Sequence, residues 1–154
     1  MNKHIIRLIK KEDVAPVMGM VWEVFLEFIA PDFEQQGIDE FKEFIDTKAI
    51  TDKITSGEFK LWGAFAGDVP VGVIAIGPPF RVALFSVNKQ YHRRGIGREL
   101  FKTALSDEVA RGHDKITVNA SPYAVNIYKR LGFVPTGEQQ AVNGIKFTPM
   151  VHKL

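Results

Sequence analysis

The spacing of apolar positions along the chain predicts four helices. Apolar residues recur at intervals of three and four over 14–30, 38–48, 96–111 and 122–131, as on the buried face of a helix. The second helix is expected to extend as far as Ser56, where the following glycine would end it. The first helix is apolar on more than one side, so we expect it to be covered on several sides or to line a cleft.

Short apolar runs between these helices predict strands. The predicted strands are 5–9, 59–66, 69–76, 81–87, 115–119, 133–138 and 145–152. Gly67-Asp68 and Asn143-Gly144 are typical of hairpin turns. The order strand, helix, strand over 81–119 predicts a parallel crossover. Together these elements predict a single mixed α/β domain over residues 1–154.

A basic turn containing two glycines lies between the predicted strand at 81–87 and the helix after it. Residues 91–98 read Tyr-His-Arg-Arg-Gly-Ile-Gly-Arg. The first N–H groups of a helix lack internal partners and carry the positive end of its dipole, and glycine lets a ligand approach the backbone. The turn therefore predicts an anion site suited to a pyrophosphate, although the same glycines are also compatible with a plain tight turn. It matches neither a Walker loop nor the three-glycine dinucleotide fingerprint.

Composition narrows the function classes. A chain of 154 residues, 45% hydrophobic and 25% charged, is typical of a soluble globular protein. The net charge of +2 argues against a dedicated nucleic-acid binder, and no run is apolar enough to span a membrane. There are no cysteines, which excludes disulfides and a cysteine nucleophile, and the histidines are too scattered for a metal site. Charges interrupt the first apolar stretch, so we expect no signal peptide and a cytoplasmic protein.

A second motif makes the anion site more specific. Residues 118–133 read Val-Asn-Ala-Ser-Pro-Tyr-Ala-Val-Asn-Ile-Tyr-Lys-Arg-Leu-Gly-Phe, which resembles the C-terminal signature of the GNAT superfamily of acyl-CoA-dependent N-acetyltransferases. Residues 87–97 resemble the acetyl-CoA motif of that superfamily, Gln/Arg-x-x-Gly-x-Gly/Ala, with His92 in the Gln/Arg position. The order and separation of the motifs fit, so the resemblance covers roughly the whole chain, and residues 59–133 carry nearly all of its weight. It implies a mixed, mostly antiparallel sheet flanked by helices, whose one parallel strand–helix–strand step opens a slot for acetyl-CoA.

The resemblance implies roles for residues around this slot. The backbone of 85–87 would pair with the pantetheine arm, and the amides of 93–98 would hold the pyrophosphate. Asn119 corresponds in the resemblance to a polar group beside the thioester, and Asn126 to a polar group that faces the same region. Tyr128 resembles the general acid that protonates the leaving thiolate. The implied catalytic residues are Tyr128 and Asn119. The implied cofactor-binding residues are Phe85, Ser86, Val87, His92, Arg93, Arg94, Gly95, Ile96, Gly97, Arg98, Asn119 and Asn126.

The motifs do not define the role of the His92 side chain or the residues that would bind and deprotonate the amine acceptor. The replacement of Gln/Arg by His92 would not affect phosphate binding by the backbone, because every residue except proline offers the same N–H donor. The side chain of His92 is expected to face solvent. The candidate general bases on or just after the first helix are Glu23, Glu27, Asp32 and Glu34. Glu27 lies beside the apolar side of that helix, and deprotonation through water is the alternative to any of them. Phe33 is the aromatic residue expected to face an acceptor pocket.

The sequence thus predicts an N-acetyltransferase that moves the acetyl group of acetyl-CoA, its cosubstrate, directly to a primary amine, without a metal. The acceptor is a small molecule or a peptide, and a homodimer is compatible with the resemblance. We expect no nucleic-acid or membrane partner. One alternative is a non-catalytic module that binds CoA or acyl-CoA as a sensor or regulator. A more remote alternative is a phosphate-binding turn for a nucleotide.

Overall fold

A mixed sheet forms the centre of the fold. The computed structural model describes residues 3–154, and within them eight strands pair in the order β1-β2-β3-β4-β5-β8-β6, with β7 on β8. The strands are β1 (Ile5–Leu8), β2 (Lys60–Ala66), β3 (Val69–Gly77), β4 (Arg81–Val87), β5 (Lys115–Ala120), β6 (Val134–Pro135), β7 (Gln140–Val142) and β8 (Ile145–Lys153). In this range β4 and β5 run parallel and the other pairs antiparallel. The predicted fold class is confirmed, while residues 1 and 2 of the predicted domain lie outside the described residues.

Five α-helices in the described range cover the two faces of the sheet. They are α1 (Val14–Phe28), α2 (Gln35–Phe44), α3 (Thr47–Thr55), α4 (Ile96–Ala110) and α5 (Val125–Arg130). Successive residues of a strand point to opposite faces. In β3, Val73 and Ala75 join the core formed with α1 and α3, whereas Ile74 and Ile76 join the core formed with α4 and α5. No helix in residues 3–154 is long and apolar enough to cross a membrane.

The predicted helix from 38 to 56 is wrong in its start and in its continuity. It begins earlier, at Gln35, and the chain turns at Asp46, where α2 gives way to α3. The Asp46 carboxylate accepts a hydrogen bond from the Ala49 N–H at 3.1 Å and caps α3. Ile45 and Ala49, on either side of the turn, are four residues apart, so the helical spacing of apolar positions continues through the break.

The predicted strand at 133–138 is also largely wrong. It shrinks to the two residues of β6, and the hairpin partner of β8 is β7. Phe133 does not extend a strand but lies in the core, 2% exposed, with its ring edge-on to Tyr128 at 5.2 Å. The strand residues of β6 and β7 are exposed, so no alternation of apolar and polar positions marks them in the sequence.

The parallel pair β4–β5 opens a gap in the sheet. The two strands pair at Arg81 and Val82 and, within the described residues, no further along β4. On the other side of β4 the register with β3 shifts, which leaves Ala83 as an extra residue in β4. A bulge of this kind bends a strand and can end its pairing. The edge of β4 that follows Val82 therefore faces the gap with its backbone groups unpaired by β5.

Candidate active site

Two adjoining cavities occupy the gap between β4 and β5. The first, here called the turn cavity, has a volume of about 520 Å³ and is lined by β4, the basic turn and α5. The second, here called the aromatic cavity, has about 580 Å³ and is lined by β4, β5, α2, the end of α1 and the β7–β8 hairpin. Both cavities touch Phe85, Ser86 and Tyr128. A molecule that extended from one cavity into the other would therefore have its middle part beside Tyr128.

The basic turn has a backbone shape that suits an anion. Arg93 and Gly95 have φ angles of 63° and 79°, in the left-handed region that is costly for a residue with a side chain such as Arg93. Gly95 is the N-cap of α4 and has no side chain to bond the first turn of the helix, which leaves those N–H groups to other partners. Left-handed residues beside a helix start make a concave nest of N–H groups. This geometry fits a pyrophosphate.

Most of the predicted cofactor-binding residues lie around one cavity. The turn cavity is lined by Phe85, Ser86, Val87, His92, Arg93, Gly95, Ile96, Gly97 and Asn126. Asn119 lines the aromatic cavity instead. Arg94 and Arg98 are exposed and line neither cavity, and the guanidinium of Arg94 lies over the Tyr91 ring at 5.0 Å. These two arginines contribute positive charge around the site but form no part of its wall.

The expectation that the His92 side chain faces solvent is wrong. The ring is half-buried, its Nε2 lies 2.8 Å from the carbonyl oxygen of Val87, and its centre is 5.4 Å from that of Phe28. A carbonyl oxygen accepts but cannot donate, so Nε2 carries a proton in this arrangement. A short 3-10 turn at Lys89–Tyr91 lies between Val87 and His92 and brings these two residues into contact. His92 therefore connects the basic turn to the open edge of β4.

Tyr128 is a buried phenol at the junction of the two cavities. Its side chain lies between the rings of Phe85 and Phe133, at centroid distances of 6.0 and 5.2 Å, and the residue is 6% exposed. Burial raises the pKa of Tyr128 well above the ordinary value for a phenol, because the charged phenolate would be poorly solvated. Tyr128 is thus held in its neutral form, which can donate a proton or a hydrogen bond.

The structure separates the two predicted acceptor-side residues. Phe33 lines the aromatic cavity and meets Phe25 edge-on at 5.6 Å. Glu27 lines neither cavity, and its carboxylate forms an exposed ion pair with Lys89 at 2.8 Å. Within residues 3–154, no three His, Cys, Asp or Glu side chains are grouped to hold a metal ion.

Sequence reasoning missed several polar residues of the aromatic cavity. Ser121 follows β5 and stands near Asn119, while Glu40 comes from α2, Arg81 from the start of β4 and Lys146 from β8. The last three side chains are exposed and lie at the rim. They come from elements far apart in the chain, so no local motif could indicate them. The one available signal was the hairpin glycine at 144, which places Lys146 next to a turn.

The β7–β8 hairpin is fastened to the start of α2 and closes one side of the aromatic cavity. The Glu34 N–H donates to the carbonyl of Gly144 at 2.9 Å. Gly37 packs against the same turn so closely that an added Cβ would lie 2.5 Å from the oxygen of Gly144 and 2.9 Å from Ile145. Glycine at 37 is therefore needed for this contact.

Known proteins were compared with the chain as a whole. The family model of the acetyltransferase (GNAT) domain matches residues 29–154. Among proteins with curated functions, none matches the sequence. A GCN5-related N-acetyltransferase from Rhodopseudomonas palustris superimposes with a TM-score of 0.81 at 23% identity, covering 100% of this chain and 98% of that one.

Two further structures add to this comparison. The PaiA N-acetyltransferase of Thermoplasma acidophilum, solved in complex with coenzyme A, has a TM-score of 0.81 at 17% identity and 99% coverage of both chains. Ard1 of Thermoplasma volcanium has a TM-score of 0.72 at 19% identity, covering 98% of this chain and 97% of its own. At these identities the likeness establishes the fold, while the family match extends over most of the sequence. The chain belongs to the GNAT family of acetyltransferases.

Proposed function

We propose that the protein transfers the acetyl group of acetyl-CoA directly to a primary amine. The observation that carries this proposal is the position of Tyr128, a buried neutral phenol that lines both cavities. One cavity has an anion nest and an open strand edge, and the other has an apolar wall. A thioester that reached Tyr128 from the first cavity would meet an amine that entered through the second.

The turn cavity supports the binding of the cosubstrate. The amides of 93–98 would hold the pyrophosphate, and the backbone groups of 85–87 that face the gap would bind the pantetheine arm as an added strand, apart from the Val87 carbonyl, which His92 already contacts. Asn126 lines the same cavity, and Asn119 lies at the end of β5 in the other one. We assign to Asn119 a hydrogen bond near the thioester and to Asn126 one to the arm.

The chain supplies proximity and a proton for the reaction. The amine nitrogen attacks the thioester carbonyl carbon, the C–S bond breaks, and an N-acetyl amine and free CoA result. The amine loses one proton and the departing sulfur gains one. A simple thiol has a pKa near ~8.5 and a phenol one near ~10, and desolvation in the slot raises the basicity of both conjugate anions. Tyr128 can therefore hydrogen-bond the sulfur as its negative charge develops.

Two measurements on the full chain test the proposal. Calorimetry measures acetyl-CoA binding, and a thiol reagent measures CoA release in the presence of a library of primary amines. We expect saturable binding and amine-dependent release. The absence of acetyl-CoA affinity at physiological concentrations would exclude the proposed function, and binding without release by any amine would favour a CoA-sensing module.

Gly37→Ala is expected to raise the KM for the amine about tenfold and to leave acetyl-CoA affinity unchanged. The new methyl group cannot fit 2.5 Å from the Gly144 oxygen, so the hairpin must move away from α2 at an overpacking cost of about 1–3 kcal/mol. Steady-state kinetics and calorimetry measure the two effects separately.

Gly19→Ala is the matched control, because Gly19 lies inside α1 with nothing within 4 Å of an added Cβ. This variant should be at least as stable as the parent, since alanine favours a helix by about 1 kcal/mol over glycine. An unchanged amine KM in Gly37→Ala would show that the hairpin does not shape the acceptor site.

A further inference from the structure

The wall of the aromatic cavity is apolar and built before any ligand arrives. Its apolar lining includes Phe25, Ile29, Phe33, Phe41, Phe44 and Phe147. Phe25 stacks on Phe41 at 4.1 Å with an interplanar angle of 12° and meets Phe33 at 5.6 Å. Phe25 is also 1% exposed and belongs to the side of α1 that packs on the sheet. The wall is therefore an extension of the hydrophobic core and offers a fixed surface to an apolar group.

The charged residues at the rim of the aromatic cavity disfavour the binding of a polycationic acceptor. The charged side chains that line this cavity are Glu40, Arg81 and Lys146, one anion against two cations. None of the three takes part in an ion pair formed within the described residues. A polyamine or an aminoglycoside would bring several positive charges into a cavity of net positive charge, and would have to lose hydration against aromatic rings. The lining offers one carboxylate, Glu40, to set against those charges.

From this wall and these charges we infer that the acceptor is a small primary monoamine on an apolar body. This inference rests on the proposed acetyl transfer, since it names the acceptor of that reaction. A cavity of about 580 Å³ lies in the range of small-molecule sites. The amine end would lie near Ser86, Asn119 and Tyr128, and the apolar body would lie against Phe33, Phe41 and Phe44.

The apolar wall also bears on the proton that the amine must lose. Desolvation disfavours an ammonium ion, so an amine held against aromatic rings has a lowered pKa and binds more readily as the neutral nucleophile. The lining carboxylate, Glu40, is exposed at the rim. An apolar monoamine can thus become reactive on entry and pass its proton to water, without a dedicated base beside the thioester.

The sharpest test uses a matched pair of acceptors with the wild-type protein. Hexylamine and 1,6-diaminohexane have the same chain and differ by one terminal ammonium group. We expect kcat/KM for hexylamine and for 2-phenylethylamine to exceed that for 1,6-diaminohexane, spermidine and kanamycin at least tenfold. Glu40→Gln should leave this order in place, since the carboxylate is not needed to hold the preferred acceptor.

A second measurement separates this inference from the proposed reaction. Each amine is titrated calorimetrically into the protein saturated with CoA. If no amine releases CoA but hexylamine binds at least tenfold more tightly than 1,6-diaminohexane, the reaction is refuted and the apolar monoamine site stands. If spermidine, kanamycin or a lysine-containing peptide is preferred in turnover, or if Glu40→Gln abolishes use of the favoured amine, the inference is overturned while acetyl transfer stands. If one of these acceptors binds more tightly than hexylamine and no amine releases CoA, the inference and the reaction are both overturned.

Discussion

Tyr128→Phe is expected to lower kcat by a factor of about 10² to 10⁴, the usual contribution of a positioned general acid, and to change acetyl-CoA affinity by less than about threefold. Phenylalanine keeps the ring between Phe85 and Phe133 and removes the hydroxyl group that we propose hydrogen-bonds the leaving sulfur. The loss should therefore appear in turnover. Single-turnover kinetics and calorimetry with acetyl-CoA measure the two quantities.

The pH dependence gives the same prediction a second readout. Burial raises the pKa of Tyr128 above its ordinary value, so the protonated form persists below that raised pKa and is lost as the pH rises through it. The wild-type kcat should show no alkaline decline around pH ~10, where a free phenol would lose its proton. Tyr123→Phe is the control, because it removes a phenol hydroxyl from the turn cavity away from the junction with the aromatic cavity. Full turnover in Tyr128→Phe would show that the leaving group is protonated by another route.

The sequence predicted the elements around the slot well because their patterns are strong. α4 ends at Ala110, within a residue of the predicted end, and the left-handed Gly112 follows it with a φ of 82°. β4 has the predicted bounds. The parallel step follows from the order of elements and from the handedness rule for crossovers. These local and topological signals were enough to predict where an anion site would lie.

Elements were predicted poorly where the pattern of apolar residues continues unchanged although the secondary structure changes. Ile45 and Ala49 keep helical spacing across the turn at Asp46, and a capping aspartate looks like any exposed helix residue until its hydrogen bond is seen. Phe133 was assigned to the predicted strand at 133–138, one side of the hairpin predicted around Asn143-Gly144. Its ring is instead used to pack Tyr128, a tertiary contact that propensity cannot reveal.

The site divides in the same way. The residues of the basic turn and of α5 belong to sequence motifs, so they could be named individually from the sequence as candidate cofactor-binding and catalytic residues. The proposed acceptor side is the aromatic cavity, where Glu40 of α2, Arg81 of β4 and Lys146 of β8 become neighbours through the fold. His92 illustrates a third case, because it lies within a motif while its contact with Val87 depends on a 3-10 turn. Apolar patterning fixes which residues are buried, but the charge balance of a cavity appears when the strands are in place.

Gly95→Ala is expected to weaken acetyl-CoA binding about tenfold, or about 1.4 kcal/mol. The residue has a φ of 79° and caps α4, and an alanine in this region costs about 1–2 kcal/mol. The chain can relieve that strain by leaving the left-handed region, which would turn the N–H groups of the nest away from the pyrophosphate. A Cβ at this position meets nothing within 4 Å, so the expected loss comes from the backbone and not from a clash within the protein. Calorimetry with acetyl-CoA measures the loss.

Gly57→Ala is the control, because alanine would meet the same backbone strain there, at a position away from the proposed pyrophosphate site. Gly57 has a φ of 81°, also has nothing within 4 Å of an added Cβ, and follows α3 outside both the turn cavity and the aromatic cavity. Both variants should lose about 1–2 kcal/mol of unfolding free energy, measured by urea denaturation, but Gly57→Ala should bind acetyl-CoA like the parent. Equal loss of stability with undiminished affinity in Gly95→Ala would contradict the assignment of the pyrophosphate to the turn amides. The arginine side chains around the site would then be the remaining candidates for holding the anion, and charge reversal at Arg93 would separate the two arrangements.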